Sequence, residues 1–186
     1  MKEKYTRVEL EEKLKKIKEE NAKLPAIELE DFRRVAMCYS SAMPMYKSKY
    51  EFDCVKCGQK VNVEEMAYSQ GEQTTLELTL EIIEKIKEKG FDVEYELVCG
   101  NCHKAEVEYK VRYTLRRDYN IIFRFKTKDE NEYRETICNN ISYYKMCLDF
   151  LDGELNYRKL MIDRYLREEE IDDILYQMLG VKIDEK

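Results

Sequence analysis

Histidine, glycine and proline are scarce in this chain of 186 residues, and each scarcity excludes something. His103 is the single histidine, so a catalytic triad would have to be built on that one residue. Six glycines and two prolines leave no Gly/Pro-rich tract to serve as an interdomain linker. No apolar run approaches the ~18 residues of a membrane span, and the opening Met-Lys-Glu-Lys-Tyr-Thr carries no apolar export segment. No G-x-x-x-x-G-K-[ST], G-x-G-x-x-G or G-x-S-x-G string occurs, so the common phosphate-loop, dinucleotide and nucleophile-elbow signatures are missing. There is no internal repeat and no low-complexity tract. Enzymatic function therefore has no positive support in the sequence.

What is present is charge and cysteine. Charged residues make up 39% of the chain and hydrophobic residues 44%, enough apolar content for a core beneath a heavily charged surface. The length suits one domain or one and a half, and is sufficient to bury a core without help. The net charge of −6 is unevenly spread. Residues 63–103 carry three basic and ten acidic side chains, and residues 129–186 carry eight and fifteen. Between them, residues 104–128 reverse the sign with eight basic against three acidic.

The seven cysteines are the most informative residues. Four form two C-x-x-C steps, Cys54-Val-Lys-Cys57-Gly and Cys99-Gly-Asn-Cys102-His. Such a step lets a tight turn wrap a metal with backbone N–H groups pointing at the sulfurs. Gly58 and Gly100 relieve crowding where the chain reverses. Two steps supply four thiolates, the ligand set of a structural tetrahedral zinc. The pattern resembles a zinc ribbon, C-x-x-C-G followed by C-G-x-C, across the two turns and their flanking strands. The intervening stretch, residues 58–98, is more than twice the roughly 15–20 residues of compact sites, so an insertion lies between the turns. The resemblance implies a metal site and carries over no activity.

Other readings of these cysteines fare worse. Cys99-Gly-Asn-Cys102-His103 also matches a haem-attachment signature, but that chemistry needs an exported chain and leaves the first pair unexplained. A thioredoxin-like pair belongs at a helix N-terminus, whereas Ala105, Val107, Tyr109, Val111, Tyr113 and Leu115 alternate as a strand. The odd count, with Cys38, Cys138 and Cys147 outside the pairs, together with free thiols and no export segment, predicts a reducing, cytoplasmic setting. With four thiolates in place His103 is needed neither as ligand nor as base, and reads as a surface residue after a turn.

Periodicity outlines the rest. Leu10, Leu14, Ile17, Asn21 and Leu24 fall at heptad spacing on a helix ending before Pro25. Barely two heptads are present, so this helix is expected to pack on its own domain rather than form a dimerising coil. A second helix is expected over 27–38, and Ser40, Ser41 and Pro44 mark an irregular stretch. Strands are expected at 49–53 and 59–64, with a loop around residues 69–71. A helix follows from about Thr75 to Lys89, capped by Gly90. Next come a strand through Val93, Tyr95 and Leu97, the strand at 105–115, a turn at Asp118-Tyr119-Asn120, a strand through Ile121, Phe123 and Phe125, and another at 133–138. The C-terminal third reads as three helices. The first is capped by Asn139 or Asn140, with Ile141, Tyr144, Leu148 and Leu151 on one face, and stops at Gly153. The second covers about 154–167, and the last runs near 169–179 with Ile171, Ile174, Leu175, Met178 and Leu179 inward.

The fold class expected is α+β: an antiparallel β-meander with the paired cysteine turns, a helical segment before it and another after it. The boundaries drawn are 1–48, 49–138 with a helical insertion near 75–89, and 139–186 packed on the same domain. The expected function is a non-catalytic, zinc-stapled binding or assembly module with one structural Zn²⁺ per chain and a protein partner or self-association. An alternative uses Lys110, Arg112, Arg116, Arg117, Arg124 and Lys126, interleaved with aromatics, to contact nucleic acid. The alternation argues back, because Tyr109, Val111 and Tyr113 share one strand face while Lys110 and Arg112 take the other. A further alternative is a thiol-based redox switch or an enzyme.

Overall fold

The computed structural model describes residues 5–24, 46–67, 73–102 and 119–182. Within them the chain is an α+β fold with two small antiparallel sheets, one of two strands and one of three. The expected second helix at 27–38, the irregular stretch at 40–44, the loop at 69–71 and the strand at 105–115 lie outside the described residues.

Helix α1 (Arg7–Ala22) begins with a capping box, in which Thr6 and Glu9 satisfy one another's backbone N–H groups. Leu10, Leu14 and Ile17 are buried against the chain's own core, so the heptad-like stripe is an intramolecular packing face. Asn21 does not set a coiled-coil register. Its side-chain amide donates to the backbone oxygens of Ile17 and Leu155, and its oxygen accepts from the backbone N–H of Tyr157. It thus pins the joint between the two helices that follow Ile141. At the other end of α1, the backbone N–H of Lys128 donates to the Tyr5 carbonyl, and Arg7 pairs with Glu130. Replacing Asn21 with Ala strips three hydrogen bonds from half-buried backbone. We expect a loss of about 1–3 kcal/mol, read as a lower denaturant midpoint with an unchanged m-value.

Strands β1 (Tyr46–Asp53) and β2 (Lys60–Ala67) form a hairpin with Tyr50 opposite Val63 and Phe52 opposite Val61. Val61 and Val63 are buried with Tyr50 and Phe52 packed on the same core. The other face is wet and carries ion pairs between Lys49 and Glu64 and between Lys60 and Glu51. This alternation is the mark of a sheet with one solvated face. Both strands run beyond their expected bounds of 49–53 and 59–64, with the ladder continuing to Tyr46 opposite Ala67.

Helix α2 (Thr75–Glu88) could have begun as a strand, because Leu76, Leu78, Leu80 and Ile82 alternate. A capping box at Thr74 and Glu77 decides for helix. Leu76, Ile83 and Ile86 are fully buried and Leu78 is exposed.

Strands β3 (Asp92–Cys99), β4 (Tyr119–Lys126) and β5 (Arg134–Cys138) make a meander in that order. One correction falls here. Tyr119 and Asn120 are not in a turn: they open β4, with Tyr119 opposite Cys99 and Asn120 opposite Val98. Both are buried, and the ring of Tyr119 continues the inward row of Ile121, Phe123 and Phe125 at period two.

Three helices close the chain. Helix α3 (Ile141–Asp152) is capped by Asn140 and stopped by Gly153 in the left-handed region. It packs against α2 and the last helix. Because it is covered on two sides its buried face is wider than one stripe, and Tyr143, Met146, Cys147 and Phe150 join Tyr144 and Leu151 inside. Helix α4 (Tyr157–Arg164) is shorter than the expected 154–167. Asn156 caps its start by accepting from the Lys159 N–H, and Tyr165 ends it at φ 56°. Helix α5 (Glu168–Leu179) buries Ile171, Ile174, Leu175, Met178 and Leu179 and ends at Gly180.

The three-stranded sheet and the helices meet through aromatics. The Phe123 ring stands edge-on to Tyr144 of α3 at 5.4 Å, and Phe125 lies 6.0 Å from Phe123 and 6.2 Å from Phe91. The Tyr144 hydroxyl, fully buried, donates to the Cys138 carbonyl. No helix among the described residues is long and apolar enough to cross a membrane.

Candidate metal centre

The two C-x-x-C steps sit where the two sheets approach. The first caps the β1–β2 hairpin. The backbone N–H of Cys54 donates to Gln59 O at 2.9 Å and that of Gly58 to Cys54 O at 2.8 Å, so the turn from Cys54 to Gln59 is closed twice. Gly58 stands at φ 70°, a left-handed conformation that side chains with a Cβ resist. The second step continues β3 directly, with the Cys102 N–H donating to Cys99 O. A hydrogen bond from Val55 N–H to Leu97 O at 3.2 Å and an edge-on contact of Phe52 with Tyr119 hold the hairpin against the three-stranded sheet.

This arrangement brings Cys54, Cys57, Cys99 and Cys102 together, with all four sulfurs within 4.8 Å of one another. No other group of three or more histidine, cysteine or carboxylate ligands converges among the described residues. The Cys57 and Cys99 sulfurs are 3.8 Å apart. A tetrahedron with metal–sulfur bonds of about 2.3 Å has an edge of roughly 3.8 Å, so a four-coordinate ion fits between these thiols with little rearrangement. Cys54 and Cys99 are buried, Cys102 is half-buried and Cys57 is exposed.

The electrostatics of Cys54 and Cys102 also favour a cation. Burial opposes the Cys54 thiolate, yet the backbone amides of Cys99, Cys57 and Lys56 overcome it and lower its pKa to about 6. Cys102 goes the other way. Hydrogen bonds with the Cys57 and Cys99 side chains, together with the Cys54 charge, push it up to about 12. Without a cation Cys54 therefore ionises readily, and its charge is one of the causes that hold the proton on Cys102. A divalent ion would remove that repulsion and displace the remaining protons.

The other candidate residues are dispersed. Cys138 is buried, with its sulfur accepting from the Asn140 N–H, and Cys147 is buried in α3. Desolvation holds the Cys147 thiol well above the ordinary range. Cys38, His103, Lys110, Arg112, Arg116 and Arg117 lie outside the described residues. Arg124 and Lys126 are on β4 and already engaged: Arg124 bridges Glu96 at 3.2 Å and Glu135 at 2.8 Å. Lys126 pairs with Asp92 at 3.7 Å and lies over the Tyr133 ring. The sequence reading missed Phe52, Tyr119, Val55 and Leu97 as the contacts that set the two turns face to face. The period-two row from Tyr119 to Phe125 was the available signal for Tyr119; a pairing of backbone groups from separate sheets has no sequence signature.

Comparison with known protein families, with curated proteins and with solved structures returned no match. The chain is an α+β protein with a four-cysteine cluster able to hold a metal ion.

Proposed function

We propose that this chain is a non-catalytic binding or assembly module stapled by one zinc ion, with a protein or a second copy of itself as partner. The observation that carries the reading is the convergence of Cys54, Cys57, Cys99 and Cys102 at the junction of two sheets. Four thiolates saturate a tetrahedral ion and leave no open position for substrate or water, which favours a structural over a catalytic role. Thiolate ligands favour zinc over hard cations such as calcium or magnesium. Elemental analysis of purified protein should find about one zinc per chain; metal-free, folded protein with both pairs as disulfides would sink the reading.

The segregation of charge supports a protein partner. A basic segment flanked by two strongly acidic ones suits an oppositely charged protein surface, while the acidic segments repel phosphate. Arg124 and Lys126, two of the six residues considered for nucleic-acid contact, are occupied by Glu96, Glu135 and Asp92. We therefore expect no binding of single-stranded or duplex nucleic acid at physiological salt. Titration of the labelled oligonucleotides should stay flat into the micromolar range. Salt-sensitive binding that is lost when Arg112, Arg116 and Arg117 are all changed to Glu would reassign the partner class.

A further inference from the structure

Resting on the zinc reading, we propose that Cys57 is the point at which a peroxide attacks the four-thiolate site, and that Cys99 resolves the attack into a disulfide across the two turns, releasing the metal. The inference comes from the unequal burial of four otherwise equivalent ligands. Cys54 and Cys99 are 2% and 3% exposed, whereas Cys57 stands open to solvent. A Cβ built on the neighbouring Gly58 would meet no heavy atom within 4 Å, so the turn carrying Cys57 is unobstructed on that side as well. Val55 and Lys56 are exposed beside it.

The chemistry balances with hydrogen peroxide as the oxidant. The Cys57 thiolate attacks one peroxide oxygen, the O–O bond breaks, and the departing hydroxide takes a proton to become water, leaving Cys57 as a sulfenic acid. The Cys99 thiolate, with its sulfur 3.8 Å from that of Cys57, then attacks the Cys57 sulfur. The S–S bond forms, the S–O bond breaks, and the departing hydroxide takes a proton from solvent to become a second water. Two thiolates have lost two electrons and one peroxide has gained them. With Cys57 and Cys99 consumed, Cys54 and Cys102 alone cannot hold the ion.

The choice of resolving thiol has a structural consequence. A Cys57–Cys99 bond ties the β1–β2 hairpin to β3 and so replaces the metal joint by a covalent one. A Cys54–Cys57 or Cys99–Cys102 bond would close each turn on itself and leave the sheets without a covalent link. Loss of metal by oxidation should therefore leave a more stable protein than loss of metal by chelation.

The experiment uses the full, zinc-loaded chain. Its zinc content is measured first, and it is then exposed to hydrogen peroxide from one to ten equivalents. Three quantities are followed: zinc release with a chromophoric indicator, sulfenic acid by trapping with a cyclic diketone, and disulfides by peptide mapping. The expected result is trapping at Cys57 ahead of the other cysteines, and one zinc freed for each Cys57–Cys99 disulfide. The oxidised protein should also melt above the same protein stripped by chelator. First trapping at Cys102, disulfides confined within either C-x-x-C step, or full zinc retention at ten equivalents would each overturn the proposal. If the purified chain contains no zinc, the metal reading fails on its own. Peptide mapping of the peroxide-treated thiols then still decides whether Cys57 pairs with Cys99.

Discussion

Replacing Cys99 with Ser is expected to abolish stoichiometric zinc and to lower the melting temperature by about 8–16 °C. Cys99 ends β3, faces Tyr119 of β4 and sits against the hairpin turn through Cys57, so it is the ligand that belongs to both sides of the joint. A metal at about a thousandfold its dissociation constant stabilises the native state by about 4 kcal/mol. At roughly 2–4 °C per kcal/mol for a chain of this size, that gives the stated fall. The change should be local, because the ring contacts that join the sheet to α3 are made by Phe123, further along β4 than Tyr119. The variant should keep most of its helical circular dichroism and lose protection of amide protons in the β1–β2 hairpin. Stripping wild-type protein with a chelator should reproduce the same losses. Cys138→Ala, which lies outside the four-cysteine cluster, should keep its zinc. A Cys99→Ser protein with full zinc and an unshifted melting curve would refute the assignment of this ligand.

Phe123→Ala should be the most damaging single change away from the cysteines, at about 3–5 kcal/mol. The ring is fully buried, stands edge-on to Tyr144 at 5.4 Å and lies 6.0 Å from Phe125. It is therefore the point where the three-stranded sheet meets α3. Truncation removes the transfer free energy of the ring and leaves a cavity between two rigid elements that cannot close on it. The melting temperature should fall by roughly 6–20 °C. Zinc content measured well below that temperature should stay at wild-type stoichiometry, since Phe123 lies four residues along the strand from Tyr119, the residue opposite Cys99. Opposite patterns in the two variants, zinc lost with the core kept and the core weakened with zinc kept, would separate the metal joint from the hydrophobic core. A Phe123→Ala protein as stable as the parent would show that the core does not depend on this contact.

Much of this was legible because it rests on interactions close in sequence. Leu10, Leu14 and Ile17 declare a helix with one apolar stripe, since three- and four-residue spacing stacks side chains on one face. Asn140 and Gly153 bracket α3 because a cap and a left-handed stop are local requirements of a helix end. The four-cysteine cluster was legible for a related reason. C-x-x-C is a local geometry that aims two sulfurs at one point, and two such turns have few other uses in a chain with a single histidine.

Tertiary structure decided whatever depends on partners distant in sequence. The heptad-like stripe of α1 is the same string for a coil or for a packed helix, and only the C-terminal helices lying against it made it the latter, with Asn21 turned to Leu155 and Tyr157. Tyr119 and Asn120 carry turn-forming neighbours, yet pairing with Cys99 and Val98 drew them into β4, because an unpaired buried backbone costs more than a local preference is worth. Single-stripe periodicity understated α3, since burial on two sides depends on α2 and α5 arriving there. The sequence by itself determined that four cysteines would be presented on two tight turns. Which sulfur faces solvent, and that the four cysteines meet between two separate sheets, followed only from how the hairpin docks on β3, a contact made by backbone groups that any residue carries.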